Sequence, residues 1–508
     1  ACRALEKTLL AEVEKLKVDL VSESELKRIK KLNHRDFLDR MRTNEQLAGT
    51  LATLEVQTGW RYLMSYLEEI AKVTPEDIQR VAKKYLTDDN RTTIHVIPGG
   101  PPDRPMAQYA EVRSLSGSAA RKAVRPDTET NRSLFPTPKG WKHPLSFDRR
   151  PGKIHYPQAE ISKAGLTPVF YLQDRELPLI DLTLLIKAGS VDVEDSKAGL
   201  AELFDASLIL GGTEKYPPKE LALALDENAL RLSVSVGEEE TKIHLSVMKE
   251  DWERGLAVLK EILTNPRFDP EILDVVKKQI LMALKRQSED AQAVAARETM
   301  IWHFKGHPYG RDPLQALNTI PLITRADLVR FMETYFVPSN MVVALAGDIE
   351  RARAVADLTG LFKALPDPGP PERKLQEPPD TPPVLTLIHK PGQVQSQVNL
   401  ALRSIKRTNP DYWKVGLLTD IFGGSDSMLY TRLRDDLGLV YATYFYQTYK
   451  WHAGLILGYI GCKSDQTARA IEEAARIMGS LGEQIPEKDI EQKRLDVLNS
   501  FVFNVDTP

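Results

Sequence analysis

Cysteine is almost missing from this sequence. The two that occur, Cys2 and Cys462, supply no disulfide framework, which excludes a small fold held together by bridges. No run of 18 or more apolar residues occurs, so no helix that spans a membrane is expected. Neither sign of charge dominates: 68 Lys and Arg stand against 71 Asp and Glu, a net of −3. No global field draws the chain to nucleic acid or to an anionic membrane. The glycine-rich patterns that cradle phosphate groups (G-x-x-x-x-G-K-[ST] and G-x-G-x-x-G) are absent, and so is the serine elbow G-x-S-x-G.

What is present belongs to a large soluble protein. The 508 residues are 42% hydrophobic and 27% charged, enough for three or four domain-sized units. A basic cluster, Lys27-Arg28-Ile29-Lys30-Lys31, lies between Glu23, Glu25 and Asp36 and reads as the solvated face of a helix. The chain opens on a helical pattern (Leu5, Leu9, Leu10, Val13, Leu16) and stops at Asp506-Thr507-Pro508 directly after another. Both ends are therefore expected to be truncations, with room for a signal segment or a catalytic segment upstream.

Internal similarity organises the rest. Val73-Thr74-Pro75-Glu76-Asp77-Ile78-Gln79-Arg80, with Tyr85-Leu86 and Asn90 beyond, lies without a gap over Ile323-Thr324-Arg325-Ala326-Asp327-Leu328-Val329-Arg330, Tyr335-Phe336 and Asn340. Each copy starts with a Thr N-cap and an Asp three residues on, a pair able to satisfy the free N–H groups of a helix start. An apolar, strand-like run follows each copy, Thr92–Ile97 and Met341–Ala346. A second echo relates Arg3-Ala4-Leu5-Glu6 to Arg469-Ala470-Ile471-Glu472, Val21–Leu26 to Ile485–Ile490, and Phe37 to Phe501. Matches in one order at a near-constant offset indicate duplication of large units.

Between Pro98 and about Gln158 periodicity gives way to Pro, Gly and Ser, the composition of a connector. Beyond it strands are expected at Pro168–Leu172 and Leu177–Ala188, and a hairpin at Leu232–Val236 and Ile243–Val247 around Gly237-Glu238-Glu239-Glu240. Helices are expected at Gly199–Leu210, Pro218–Ala229, Asp251–Thr264 and Pro270–Glu289, with a return strand at Met341–Ala346. This order predicts an α+β fold: repeated two-layer units of mixed or antiparallel sheet with helices on one face. Pro366–Pro383 reads as a second connector, and a similar unit begins at Val384.

The string Gly199-Leu200-Ala201-Glu202-Leu203-Phe204-Asp205-Ala206-Ser207-Leu208-Ile209-Leu210-Gly211-Gly212-Thr213 resembles the signature helix of pitrilysin/insulinase-type zinc peptidases, in which H-x-x-E-H lies between Gly-Leu/Ile-Ala and Gly-Thr. Glu176-Leu177-Pro178, His307-Pro308-Tyr309-Gly310, Lys390-Pro391-Gly392-Gln393, Gln395-Ser396 and Gly423-Gly424 followed by Arg434 to Tyr441 continue the resemblance in order. It implies four similar units in a full chain, the first carrying zinc. Residues 1–97 would then be the end of unit two, 98–160 the central connector, 161–370 unit three with its zinc motif lost, and 371–508 an incomplete unit four. The implied function is the non-catalytic, substrate-binding half of a zinc metalloendopeptidase that works on peptides in an enclosed chamber. The alternative is a proteolytically inactive scaffold or core subunit. The implied partners are peptide substrates and the zinc-bearing half, in cis or in trans; zinc is expected in that other half and no cofactor in this segment.

The candidate residues follow from the same comparison. Zinc chemistry needs two His on one helical face with a Glu as base. Those places read Glu202, Asp205 and Ala206, and the third-ligand region, Met282-Ala283-Leu284, is apolar. No metal ligand is therefore assigned; Glu202 and Asp205, two carboxylates on one turn, could hold a hard cation but read better as surface carboxylates without partners. In the close pair His303 and His307, Gly306 and Pro308 flank His307, which favours a loop role over a metal pair. Arg434 and Tyr441 correspond to the family's Arg and Tyr that bind substrate and developing oxyanion. From spacing alone, an Arg434 ion pair with Asp435 or Asp436 and a Tyr441 within an aromatic core stay open. Gly423 and Gly424 resemble the family's glycine-rich loop near the substrate cavity, or an ordinary turn at a helix start.

Overall fold

A computed structural model describes residues 2–95, 139–142, 146, 158–424, 426–481 and 485–501. The expected connector over 98–158 falls almost wholly outside them. The chain forms two compact units, one of residues 1–26 and 69–150, the other of residues 27–68 and 151–508.

Among the described residues of the first unit, the regular structure is helical. The helix Cys2–Val18 packs along Pro75–Tyr85, and Gln79 Nε2 donates to Val18 O at 2.9 Å. Thr74 caps the second helix through Asp77 N at 3.2 Å, and Asp77 takes the Thr74 N–H in return. The expected strand at Thr92–Ile97 is not found: Thr92–His95 form none, and Val96 and Ile97 lie outside the described residues. A single apolar run needs a neighbouring strand for its ladder, and among the described residues of this unit there is none.

The second unit holds two sheets. Six strands, β1 (Glu160–Ala164), β2 (Thr167–Gln173), β3 (Leu179–Ile186), β4 (Arg231–Val236), β5 (Thr241–Met248) and β6 (Met341–Gly347), lie in the order β1-β2-β6-β3-β5-β4. Only β2 and β6 run parallel; every other pairing is antiparallel. The mixed sheet follows from the period-2 pattern of β3, where Ile180, Leu182, Leu184 and Ile186 are buried to 1% exposure or less. Burying each contributes about 1.5–3 kcal/mol. These side chains meet the helices Leu200–Leu208, Trp252–Thr264, Pro270–Glu289, Arg325–Tyr335 and Arg351–Phe362 in one core. Three further strands, β7 (Gln395–Ser404), β8 (Val440–Tyr449) and β9 (Gly454–Lys463), form an antiparallel sheet in the order β7-β9-β8. Its core meets Phe422, Leu429, Leu433, Ala470, Ala474 and Ile477.

The stretches that are similar in sequence share local geometry. Thr324 and Asp327 repeat the reciprocal cap of Thr74 and Asp77. Asn340 Nδ2 reaches Tyr335 O at 2.9 Å, as Asn90 Nδ2 reaches Tyr85 O at 2.9 Å. The order β7-β9-β8 matches β3-β5-β4. Four residues before each Gly-Gly pair a hydroxyl bonds back one turn, Ser207 to Leu203 O at 2.5 Å and Thr419 to Val415 O at 2.8 Å.

The helices of the large sheet's core cover one of its faces, and one further segment lies on the other. The Lys27–Asp39 part of the helix Glu23–Asp39 covers one end of the opposite face, which carries Asp181 and Ser246. The basic cluster is accordingly not a purely solvated stripe: Lys31 Nζ lies 2.7 Å from the carboxylate of Asp251, whose side chain has no exposure. The Pro366–Pro383 connector has no regular structure but is tied down along its length. Ser339 bonds Asp367 at 2.6 Å, Arg373 pairs with Asp192 at 2.5 Å, and His307 Nε2 meets Gln376 O at 3.0 Å.

Candidate functional site

The Arg434–Tyr441 corner is built by a widened helix turn. Ser427, buried, caps a short helix at Met428–Tyr430 by accepting Tyr430 N–H at 3.0 Å. Thr431–Asp436 continue as a π-helical turn, with Leu429 and Leu433 fully buried beneath it. Such turns are rare and cluster at functional sites. Gly438 closes the turn at φ +59°, where a side chain would be strained, and Leu439 N–H returns to Leu433 O at 2.8 Å.

The chain then enters β8 through a bulge. Val440 pairs with Cys462 and Ala442 with Gly461, so Tyr441 has no opposing residue. A bulge of this kind re-aims its side chain. Tyr441 is 47% exposed, and Arg434 Nη1 donates to Val440 O at 2.8 Å. Asp436 pairs with Arg432 at 3.4 Å. Gly423 is buried against β8: a Cβ there would sit 2.3 Å from Phe445 Cβ and 2.7 Å from Phe445 N. Gly424 follows as the cap of the Tyr412–Gly423 helix, its N–H on Asp420 O at 3.0 Å.

The helix Leu200–Leu208 presents Glu202 to solvent. Asp205 departs from the expectation of a surface carboxylate without a partner. It is half-buried, and its Oδ1 accepts Val236 N–H at 3.2 Å. Burial pushes its carboxyl above the usual range, and the Val236 bond offsets part of that. Ala206 offers no donor atom, and Met282 and Ala283 are exposed. The residues present do not fit a zinc ion, and among the described residues no three His, Cys, Asp or Glu are grouped to hold a metal.

His303 ends the helix Ala291–His303, and Gly306 at φ +80° breaks the path to His307. His307 accepts Tyr309 N–H at its Nδ1, 3.2 Å away, so its proton lies on Nε2, toward Gln376 O. Burial lowers the pKa of both imidazoles. The pair is not on one helical face.

Two polar clusters escaped the sequence reading. On the outer face of the large sheet, Arg35, 1% exposed, donates to Ser246 Oγ at 2.5 Å and to Asp39 at 3.2 Å. Arg42 reaches Ser246 at 2.9 Å and Asp181 at 3.2 Å. Burial lowers the pKa of Arg35. Elsewhere Glu239, in the β4–β5 turn, accepts the Tyr309 hydroxyl and the Trp451 N–H, the latter at 3.0 Å, while Lys450 pairs with Glu238. Burial and Glu239 together push the Tyr309 phenol far up. The visible signal was polar residues inside apolar strands, Asp181, Thr183, His244 and Ser246; their partners lie too far along the chain to be read from spacing.

Comparison with known proteins agrees with this architecture. Residues 169–315 match the profile described as Insulinase (Peptidase family M16), and residues 322–495 match that of the Peptidase M16 inactive domain. The chain belongs to the insulinase, or M16, peptidase family, and its Arg434–Tyr441 corner lies within the part matched by the inactive-domain profile. It is 26% identical over 345 residues to a non-peptidase homolog, YmxG, of Helicobacter pylori, covering 68% of this chain and 78% of that protein. It is 24% identical over 302 residues to an uncharacterized zinc protease, Rv2782c, of Mycobacterium tuberculosis, covering 58% and 68%. In fold it resembles a peptidase M16 inactive domain from Pseudomonas fluorescens, with a TM-score of 0.63 at 24% identity over 69% of this chain and 86% of that one.

Proposed function

We propose that this chain is the peptide-binding, non-catalytic part of a zinc metalloendopeptidase, completed by a zinc-bearing half supplied in cis or in trans. In this reading residues 1–97, 161–370 and 371–508 derive from successive family units, with 98–160 connecting them. The observation that carries the reading is the contrast between two places. At the former zinc helix Asp205 is committed to Val236 N–H, while at the bulge Tyr441 stands exposed next to Val440, whose carbonyl the Arg434 guanidinium holds. A phenol O–H can donate to the oxygen that gains charge when a peptide bond is attacked, and a guanidinium can hold a peptide carbonyl. Gly423 and Gly424 shape the floor of this corner, the first by letting a helix approach the β8 backbone.

A second reading is a proteolytically inactive scaffold or core subunit. The similarity to a protein named a non-peptidase homolog favours it. One experiment separates the two: the purified chain is mixed with a zinc-bearing M16 subunit from the same source, and cleavage of an unstructured peptide is followed. Cleavage that depends on both components supports the first reading. A stable complex with no gain in cleavage supports the scaffold.

A further inference from the structure

We infer that Arg434 is a positioning residue for Tyr441: its guanidinium holds the backbone bulge that aims the phenol, instead of serving only as a group that meets the peptide. The functional weight of this inference rests on the peptide-binding reading above, but its geometry does not.

Four observations converge. The extra residue in β8 is Tyr441, so the register with β9 shifts between Val440 and Ala442. A bulge leaves polar backbone groups of the bulged strand without ladder partners, and these need other partners or solvent. Arg434 Nη1 supplies such a partner, donating to the carbonyl of Val440, the residue before the bulge, at 2.8 Å. The π-helical turn over Thr431–Asp436 and the left-handed Gly438 bring position 434 back over position 440 only six residues later. A regular helix ending would place the side chain elsewhere around the axis, which gives the rare turn a purpose.

A cationic donor to a carbonyl is stronger than a neutral one, and the planar fork fixes direction as well as distance. With Val440 O held, the peptide plane that leads into Tyr441 has one orientation. Without it, the unpaired residue can rotate within the bulge and the phenol loses its aim. Neighbouring acids do not compete for this guanidinium arm: Asp436 pairs with Arg432, and Glu473 also lies 3.6 Å from Arg432.

The test uses the 508-residue chain and needs no catalytic partner. Amide hydrogen exchange is compared for the wild type, Arg434→Gln and Arg434→Lys. Arg434→Gln should speed exchange over Leu439–Tyr444 by about threefold to tenfold, the loss of one charge-assisted bond, while β7 and the far end of β9 are unchanged. Arg434→Lys, which keeps a cationic donor but no fork, should fall between. Unchanged exchange at the bulge overturns the inference, and so does equal loosening across the whole sheet.

A second arm measures binding of an unstructured fluorescein-labelled peptide in a cycle with Tyr441→Ala. Once Tyr441 is gone, the effect of Arg434→Gln on affinity should shrink to less than about half of its effect in the wild type, because the part that acts through Tyr441 has nothing left to act on. A full Arg434 effect in the Tyr441→Ala background makes Arg434 an independent peptide contact and overturns the inference. If the wild type binds no peptide, the peptide-binding reading falls, and hydrogen exchange alone decides the positioning role.

Discussion

The Asp205 carboxylate accepts the Val236 N–H across the outer edge of β4, at 3.2 Å. The place where a zinc helix would carry its base is thus used to fasten a helix to a strand. Burial raises the carboxyl, so the folded state holds this proton more tightly than the unfolded chain does. Its favourable contribution is therefore full in acid and is lost as pH rises through the raised folded value. Asp205→Asn keeps an acceptor for Val236 and removes the titration. The variant should match the wild type in acid and exceed it in stability at neutral pH. Asp205→Ala, which leaves Val236 N–H unpaired, should cost about 1 kcal/mol. Urea midpoints at both pH values check this; an Asn variant less stable at neutral pH than in acid, relative to wild type, contradicts it.

Zinc should not bind at this helix. Glu202 is exposed, Asp205 is engaged and Ala206 has no lone pair, so a tetrahedral site cannot close. Metal analysis of the dialysed chain should find well under one zinc per chain. One tightly held zinc per chain, lost on Asp205→Ala, would contradict the assignment.

The sequence exposed the elements whose signals are local. The hairpin of β4 and β5 was legible from strict alternation around Gly237–Glu240, and both Thr–Asp caps from a spacing of three. The Pro270–Glu289 helix was legible from its Pro at the start and its length. What stayed hidden depends on distant partners or on unusual backbone. Leu429, Leu433 and Leu437 have ordinary helical spacing, and nothing in them announces a π-helical turn. The bulge at Tyr441 is a matter of register with β9, which one strand's sequence cannot state. Lys31 read as solvated because Asp251 lies 220 residues away.

Arg35 illustrates the same limit and gives a stability prediction. It is buried between Asp39 and Ser246, with Arg42 and Asp181 close by. Arg35→Met removes one member of a buried ionic cluster and leaves Asp39 and Asp181 to the remaining cations. The expected loss is about 2–4 kcal/mol, somewhat less than for an isolated buried pair because Arg42 and Arg231 still face Asp39. Arg35→Lys should not restore it, since a single ammonium cannot span both partners. Chemical denaturation measures both; a loss below the precision of the method for Arg35→Met would show the cluster to be energetically silent.

Gly423 tests the packing under the corner. A methyl group there would overlap the Phe445 backbone, with 2.7 Å to its nitrogen, and neither the helix nor β8 can yield cheaply. Gly423→Ala should cost about 1–3 kcal/mol, as overpacking commonly does. It should also disturb peptide binding at Tyr441, whereas an alanine at exposed Lys414 should do neither. Differential scanning calorimetry with the peptide-binding assay provides the comparison.

The central claim is that Arg434 and Tyr441 serve peptide hydrolysis by a zinc site held elsewhere. The most direct measurement is kcat/KM of the complex with a zinc-bearing half, for Arg434→Ala and Tyr441→Phe, at full zinc occupancy. Each change should lower kcat/KM by roughly ten- to a thousandfold, about 1.4–4 kcal/mol of transition-state stabilisation, with zinc content unchanged and the melting temperature of Tyr441→Phe hardly moved. Wild-type kcat/KM in both variants would contradict the account and leave the corner a structural feature of an inactive subunit.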